Sequence, residues 1–136
     1  MKIEIKVFLT LLSATMLFGQ LPVDLAPDEI TEGFSFIANV DTEFLLSLTA
    51  STNTDWSQED LESATLVVAL DGNWNNYNQD IVLYAGTTQH IYHTNLGPIT
   101  AGSHNIQFKF DYLKSSPGAE LVQIESIELI DITTID

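Results

Sequence analysis

The chain contains no cysteine and no arginine, and its only cations are Lys2, Lys6, Lys109 and Lys114, set against 19 carboxylates for a formal net charge of −15. Each shortage excludes something. Without cysteine there is no disulfide framework, no thiolate metal site and no N-terminal lipid anchor on sulfur, so a core or an ion must hold the fold. Without a cluster of Lys or Arg, nucleic acid is excluded as a partner, and so is an anionic membrane surface. Sulfated or uronate-rich polysaccharides would be repelled unless calcium bridged them. A neutral ligand or a cation suits the surface better, and charge of this sign also serves plain solubility.

Long apolar runs are scarce too. Residues 7–18 form the longest, preceded by Lys2 and Lys6 and followed by the small residue Gly19. That run is shorter than the ~20 residues that cross a bilayer and matches the apolar region of a secretory signal peptide. We therefore expect residues 1–19 to be a cleaved signal, although Leu17 is a poor residue three places before the cut. The mature domain would then be residues 20–136, one domain with one core, secreted or at the cell surface. Losing Glu4 takes the 19 carboxylates to 18, facing only Lys109 and Lys114. No later stretch is long enough for membrane insertion.

A helical period is nearly missing as well; alternation with period two takes its place. In residues 104–112, Ile106, Phe108, Phe110 and Tyr112 share one face, and Asn105, Gln107, Lys109 and Asp111 the other. Phe34, Phe36, Ala38 and Val40 alternate likewise, as do Phe44, Leu46, Leu48 and Ala50. Residues 65–70 are apolar on both faces and read as a central strand. Residues 80–84 and 89–94 read as a hairpin around Ala85-Gly86-Thr87-Thr88. In the last strand Val122 and Ile124 have one parity while Ile127 and Leu129 have the other, so a one-residue bulge near Glu125-Ser126 is expected. Ser57 is the one expected helix cap, opening a single acidic turn to Leu61. Seven or eight strands with short Gly, Pro or Asn turns predict an all-β antiparallel sandwich of jelly-roll type.

The richest chemistry follows the central strand. Asn73, Trp74, Asn75, Asn76, Tyr77 and Asn78 combine aromatic faces, which stack on a pyranose, with amides that donate and accept hydrogen bonds. These six residues are the candidate ligand-binding set, with no catalytic residue assigned and the metal ligands unknown. Asp71, Asn73 and Asn75 are spaced like the start of a calcium loop, but Asn76 stands where glycine is needed and Val82 where glutamate is, which rejects an EF-hand. His90 and His93, three apart on a strand, face opposite sides. His104 has no evident partner. Glu59, Asp60 and Glu62 read as a solvated acidic turn rather than glycosidase carboxyls flanking a cleft. With loops alternating between the two ends of the sandwich, six or seven residues at about 3.3 Å put Trp56 and Trp74 roughly 20 Å apart. The loop 95–103 then belongs at the Trp74 end and the loop 113–119 at the Trp56 end.

The order of motifs is itself informative. Residues 33–40 (GFSFIANV), 44–50, Leu66 to Asp71-Gly72, Ala101-Gly102-Ser103-His104 before an alternating strand, and 122–129 (VQIESIEL) succeed one another. This order resembles the galactose-binding-like jelly rolls, especially carbohydrate-binding modules of families 6 and 35, over roughly residues 33–129. The resemblance implies a non-catalytic sugar-binding sandwich and a structural calcium held near the first strand. Asp28, Glu29 and Glu32 are the acidic residues available there, although no motif places them. A secreted lectin-like module for a neutral glycan is therefore the leading expectation. The alternative is an adhesive surface protein that self-associates through strand edges, with the apolar terminus 127–135 pairing to a neighbour.

Overall fold

In the computed structural model, backbone is described for Lys2–Glu4 and Ala14–Phe18, and whole residues for 20–74 and 80–132. Ten strands are described: β1 Lys2–Glu4, β2 Ala14–Phe18, β3 Val23–Leu25, β4 Phe34–Ala38, β5 Thr42–Thr52, β6 Ala64–Leu70, β7 Asp80–Leu83, β8 His90–Ile99, β9 Gly102–Phe110 and β10 Val122–Asp131. They form two antiparallel sheets. One runs β1-β10-β5-β8 with β3 also paired to β10; the other runs β2-β4-β9-β6-β7. The predicted sandwich is thus present.

Alternation built it as expected. Phe34, Phe36, Phe108, Phe110, Ile106, Leu66 and Val68 point inward from one sheet, and Phe44, Leu46, Leu48, Ile124, Ile127 and Leu129 from the other, all buried. Phe36 and Phe44 meet across the sheets edge to face at 5.9 Å, and Phe34 meets Phe108 at 6.0 Å. Strand β6 lies between β9 and β7, and its residues of both parities are buried up to Ala69, as a central strand requires. The register of β10 against β5 shifts between Ile124 and Ser126, the bulge that returns both apolar pairs to the core.

Several expectations fail for identifiable reasons. Residues 80–84 and 89–94 are not a hairpin: β7 pairs with β6, while β8 pairs with β5 in the opposite sheet. Their inward side chains, Ile81 and Leu83 against Tyr92 and Leu96, face one another across the core instead of sharing a sheet. From β4 onward every connection except β6–β7 crosses between the sheets. Val40 lies beyond the end of β4 and is exposed, and Tyr112 leaves β9 for a short 3-10 turn, Tyr112–Lys114. Residues 57–61 form turns, not a helix, and the capping carboxylate is Asp55, which accepts from the Ser57 N–H, the Ser57 hydroxyl and Gln58 Nε2. Strand β10 ends at Asp131, a buried carboxylate that accepts from the Thr42 hydroxyl at 2.7 Å. It has β5 along one side and β3 along residues 122–124 of the other, while residues 128–130 are covered by β1, which belongs to the segment expected to be cleaved. The end of the apolar terminus, 133–135, lies outside the described residues.

Candidate functional site

The end of β6 is closed by Asp71 and Gly72, both with positive φ (54° and 77°), and the Asn73 N–H donates to the Leu70 carbonyl at 3.0 Å. Two successive left-handed residues with that bond make a type I′ turn, which reverses the chain tightly. Asn73 consequently pairs back with Leu70. Trp74 does not project from the end of the sandwich as expected. It lies half-buried beside Val67 and Lys109 on the outer face of the sheet. Asn73 is exposed beside the turn; Asn75, Asn76, Tyr77 and Asn78 lie outside the described residues.

The Asp71 side chain is occupied. Oδ1 accepts the Asn105 N–H at 2.8 Å, and Oδ2 faces His104 Nδ1 at 2.7 Å. His104, expected to have no partner, also directs Nε2 at the Thr100 carbonyl at 2.6 Å and stacks on Phe36 at 5.5 Å. The two family-like elements, Asp71-Gly72 and the segment leading to His104, therefore meet in one ion pair. It joins the β6 turn to the β8–β9 connection, as the alternation of loops predicted.

At the opposite end the fold assembles an aromatic cluster that no single stretch of sequence announces. Trp56 is 64% exposed and meets Tyr84, 49% exposed, edge to face at 6.4 Å and 81°. Tyr84 packs in turn on His90 at 5.3 Å and Tyr92 at 5.5 Å. His90 shares the inward parity of Tyr92, whereas His93 is exposed on the other face, so the two histidines do diverge. The Tyr84 hydroxyl and His90 Nε2 hydrogen-bond at 3.1 Å, and Tyr92 Oη accepts the Ala85 N–H at 3.0 Å. Burial pushes the Tyr92 phenol above its ordinary value.

Both loops of this cluster are fastened. The Thr52 N–H donates to the Gly86 carbonyl at 2.9 Å, and Gly86 sits so close that a Cβ there would lie 2.6 Å from the Thr54 carbonyl oxygen. Asn53 is consumed structurally: Nδ2 donates to the Gly118 carbonyl, and Oδ1 accepts from the backbone of Glu120 and Leu121. That brings the loop 113–119 to the Trp56 end, as expected. The hydrogen bonds from Ser57 and then Gln58 hold the Asp55 carboxyl below the usual carboxylate range. Between the loops is an open hollow of about 440 Å³ bordered by Asp55, Trp56, Gln58, Tyr84 and Thr87. It offers an aromatic wall, an amide, a hydroxyl and a carboxylate. Glu59 and Asp60 are exposed on the adjoining turn.

The residues expected near a calcium do not form a ligand set. Glu29 Oε1 accepts the Ala26 N–H and Asp28 Oδ1 the Tyr112 N–H. Among the described residues no three His, Cys, Asp or Glu side chains converge to hold a metal.

No family model matches the chain, and no curated protein matches it. Solved structures do share its fold. The CBM36-1 domain of a multidomain xylanase from the hindgut metagenome of Trinervitermes trinervoides is 12% identical, covering 96% of this chain and 95% of its own, with a TM-score of 0.55. A carbohydrate-binding module CBM36 in complex with calcium and xylotriose is 14% identical over 96% and 99% of the two chains, with a TM-score of 0.57. The GH26-CBM35 β-(1,4)-mannanase of Podospora anserina is 15% identical, covering 96% of this chain but 27% of the mannanase, with a TM-score of 0.56. The chain thus has the β-sandwich of carbohydrate-binding modules of the CBM36 and CBM35 type, the galactose-binding-like arrangement that its motif order resembles.

Proposed function

We propose that this chain is a secreted, non-catalytic carbohydrate-binding sandwich that takes a neutral glycan on the Trp56–Tyr84 platform. The observation that carries the reading is the exposed Trp56, braced at right angles by Tyr84 above a hollow bordered by Gln58 and Thr87. An unburied indole braced by Tyr84, which is itself packed on His90 and Tyr92, suits the apolar face of a pyranose, and the neighbouring polar groups suit its hydroxyls. The fold supports the same reading, since the module solved with xylotriose shares it. The strongly acidic surface favours an uncharged ligand at this end. Asn73, Trp74, Asn75, Asn76, Tyr77 and Asn78 stand as a second proposed contact region.

Retention on neutral polysaccharides, measured by affinity electrophoresis and a glycan array, tests this. Trp56→Ala should weaken retention about thirtyfold, roughly 2 kcal/mol, with little change in melting temperature. Undiminished binding by that variant would overturn the platform. A protein that retains no glycan and grows in size with concentration on size exclusion would favour the self-associating surface protein instead.

A further inference from the structure

Beyond the first six residues this chain has two cations, Lys109 and Lys114, and both line one hollow of about 220 Å³ on the outer face of the β4-β9-β6 sheet. Trp74 lines it too, with Ile30, Val67 and Asp111. We propose that this hollow is a second sugar site, separate from the Trp56 platform, that takes one pyranose bearing a single anionic substituent, a carboxylate or a sulfate ester.

Three observations support it. First, the hollow is smaller than the roughly 300–1,000 Å³ that drug-sized ligands occupy, so it admits one ring and not an oligosaccharide. Second, its floor is apolar: Val67 and Ile30 flank Lys109 on neighbouring strands, since Val67 pairs with Lys109 in register and Ile30 bridges to it from the other side. With the half-buried indole of Trp74, they supply a surface against which a ring can lie. Third, the two ammonium groups differ. Lys114 is committed to Asp80, with Nζ 2.8 Å from Oδ2, whereas the half-buried Lys109 makes no side-chain hydrogen bond or ion pair among the described residues. Among the described residues the Lys109 ammonium is therefore open to an anion beside the indole, in a hollow where the carboxylate among the lining residues is Asp111. Asp111, in the same lining, suits a hydroxyl donor on the ring while repelling a second negative charge, which limits the ligand to one anionic group. The surrounding negative field rejects polyanions for the same reason.

The test uses the full chain carrying Trp56→Phe, which leaves Trp74 as the only tryptophan, titrated with methyl glucuronide, glucose 6-sulfate and methyl glucoside at low salt. Trp74 emission should saturate with one or both acidic sugars, and which of them does so identifies the substituent. Methyl glucoside should bind at least tenfold more weakly. Lys109→Gln should cost tenfold or more toward the acidic sugar, Lys109→Arg should restore most of it, and Lys114→Gln should cost less. Melting curves confirm that each variant is folded. Emission that responds equally to the neutral sugar, that is indifferent to Lys109→Gln in folded protein, or that responds to none of the three overturns the site. None of these outcomes bears on retention of neutral glycans at Trp56, which is scored separately.

Discussion

Asp71 and His104 are placed so that both ring contacts of the histidine are complete only when it is an imidazolium. Its Nε2 lies 2.6 Å from a backbone carbonyl, which can only accept, and its Nδ1 2.7 Å from a carboxylate oxygen. A neutral imidazole carries one N–H and would leave one of these contacts without a proton. Burial pulls the His104 pKa down, but the Asp71 hydrogen bond, the Thr100 carbonyl and the Asp71 charge together outweigh it, and the group is held above its ordinary value.

A raised pKa in the folded state fixes the sign of the pH dependence. The pair's contribution is complete below the unfolded histidine value of about 6.5 and is lost as pH rises through the folded value. The melting-temperature difference between the parent and His104→Gln should therefore be largest near pH 6 and shrink at alkaline pH. A difference that grows with pH would mean that the histidine is held neutral.

Phe108 is fully buried and packs edge to face on Phe34. Phe108→Ala should cost about 3–5 kcal/mol in chemical denaturation, transfer and cavity terms combined. A loss below about 1 kcal/mol would place the side chain outside the core.

Proteolytic processing offers a separate check. β1 and β2 are each the outermost strand of their sheet. We expect secreted material to begin near Gln20 by intact mass. That shorter chain should keep a β-rich circular dichroism spectrum, because the remaining eight described strands retain their pairings in both sheets. Secreted protein that retains Met1 would overturn the export proposal.

Much of this fold was legible because period-two alternation reports burial directly. The parity switch between Ile124 and Ile127 even located the β10 bulge. What a parity pattern cannot report is which sheet a strand joins: β7 and β8 read the same whether they pair or face each other across the core. The route of Trp74 had a signal that was available, since Asp71-Gly72 is the strongest short hairpin dipeptide and sends the chain back along β6. The Trp56–Tyr84 contact had none. Those residues lie on separate connections, brought together by the approach of Gly86 to Thr54.

That approach makes Gly86 a sensitive position. Its φ is +68°, and a Cβ would meet the Thr54 carbonyl at 2.6 Å, with backbone on both sides. Gly86→Ala should cost on the order of 1–3 kcal/mol, the range for strained backbone conformations. It should weaken neutral-glycan retention as well, because it separates the loops that carry Trp56 and Tyr84. Unchanged stability and retention would show that the loops are not coupled through this residue.

Coupling between the two rings themselves can be measured with a double-mutant cycle on glycan retention. Tyr84 touches Trp56 at one edge and the His90–Tyr92 pair at the others, so it braces the indole as well as bordering the hollow. Edge-to-face aromatic pairs are worth about 0.5–1.5 kcal/mol beyond area burial, and residues in contact generally fail to add. If Tyr84 acts by orienting Trp56, Tyr84→Ala and Trp56→Ala should each weaken binding severalfold or more. The double variant should then lose little beyond the stronger single variant. Tyr84→Phe, which keeps the ring but forfeits the hydroxyl contact with His90, should retain most of the affinity. Strictly additive losses would mean that the two aromatics contact the sugar independently. Tyr84→Phe as damaging as Tyr84→Ala would move the weight of recognition from the ring to its hydroxyl.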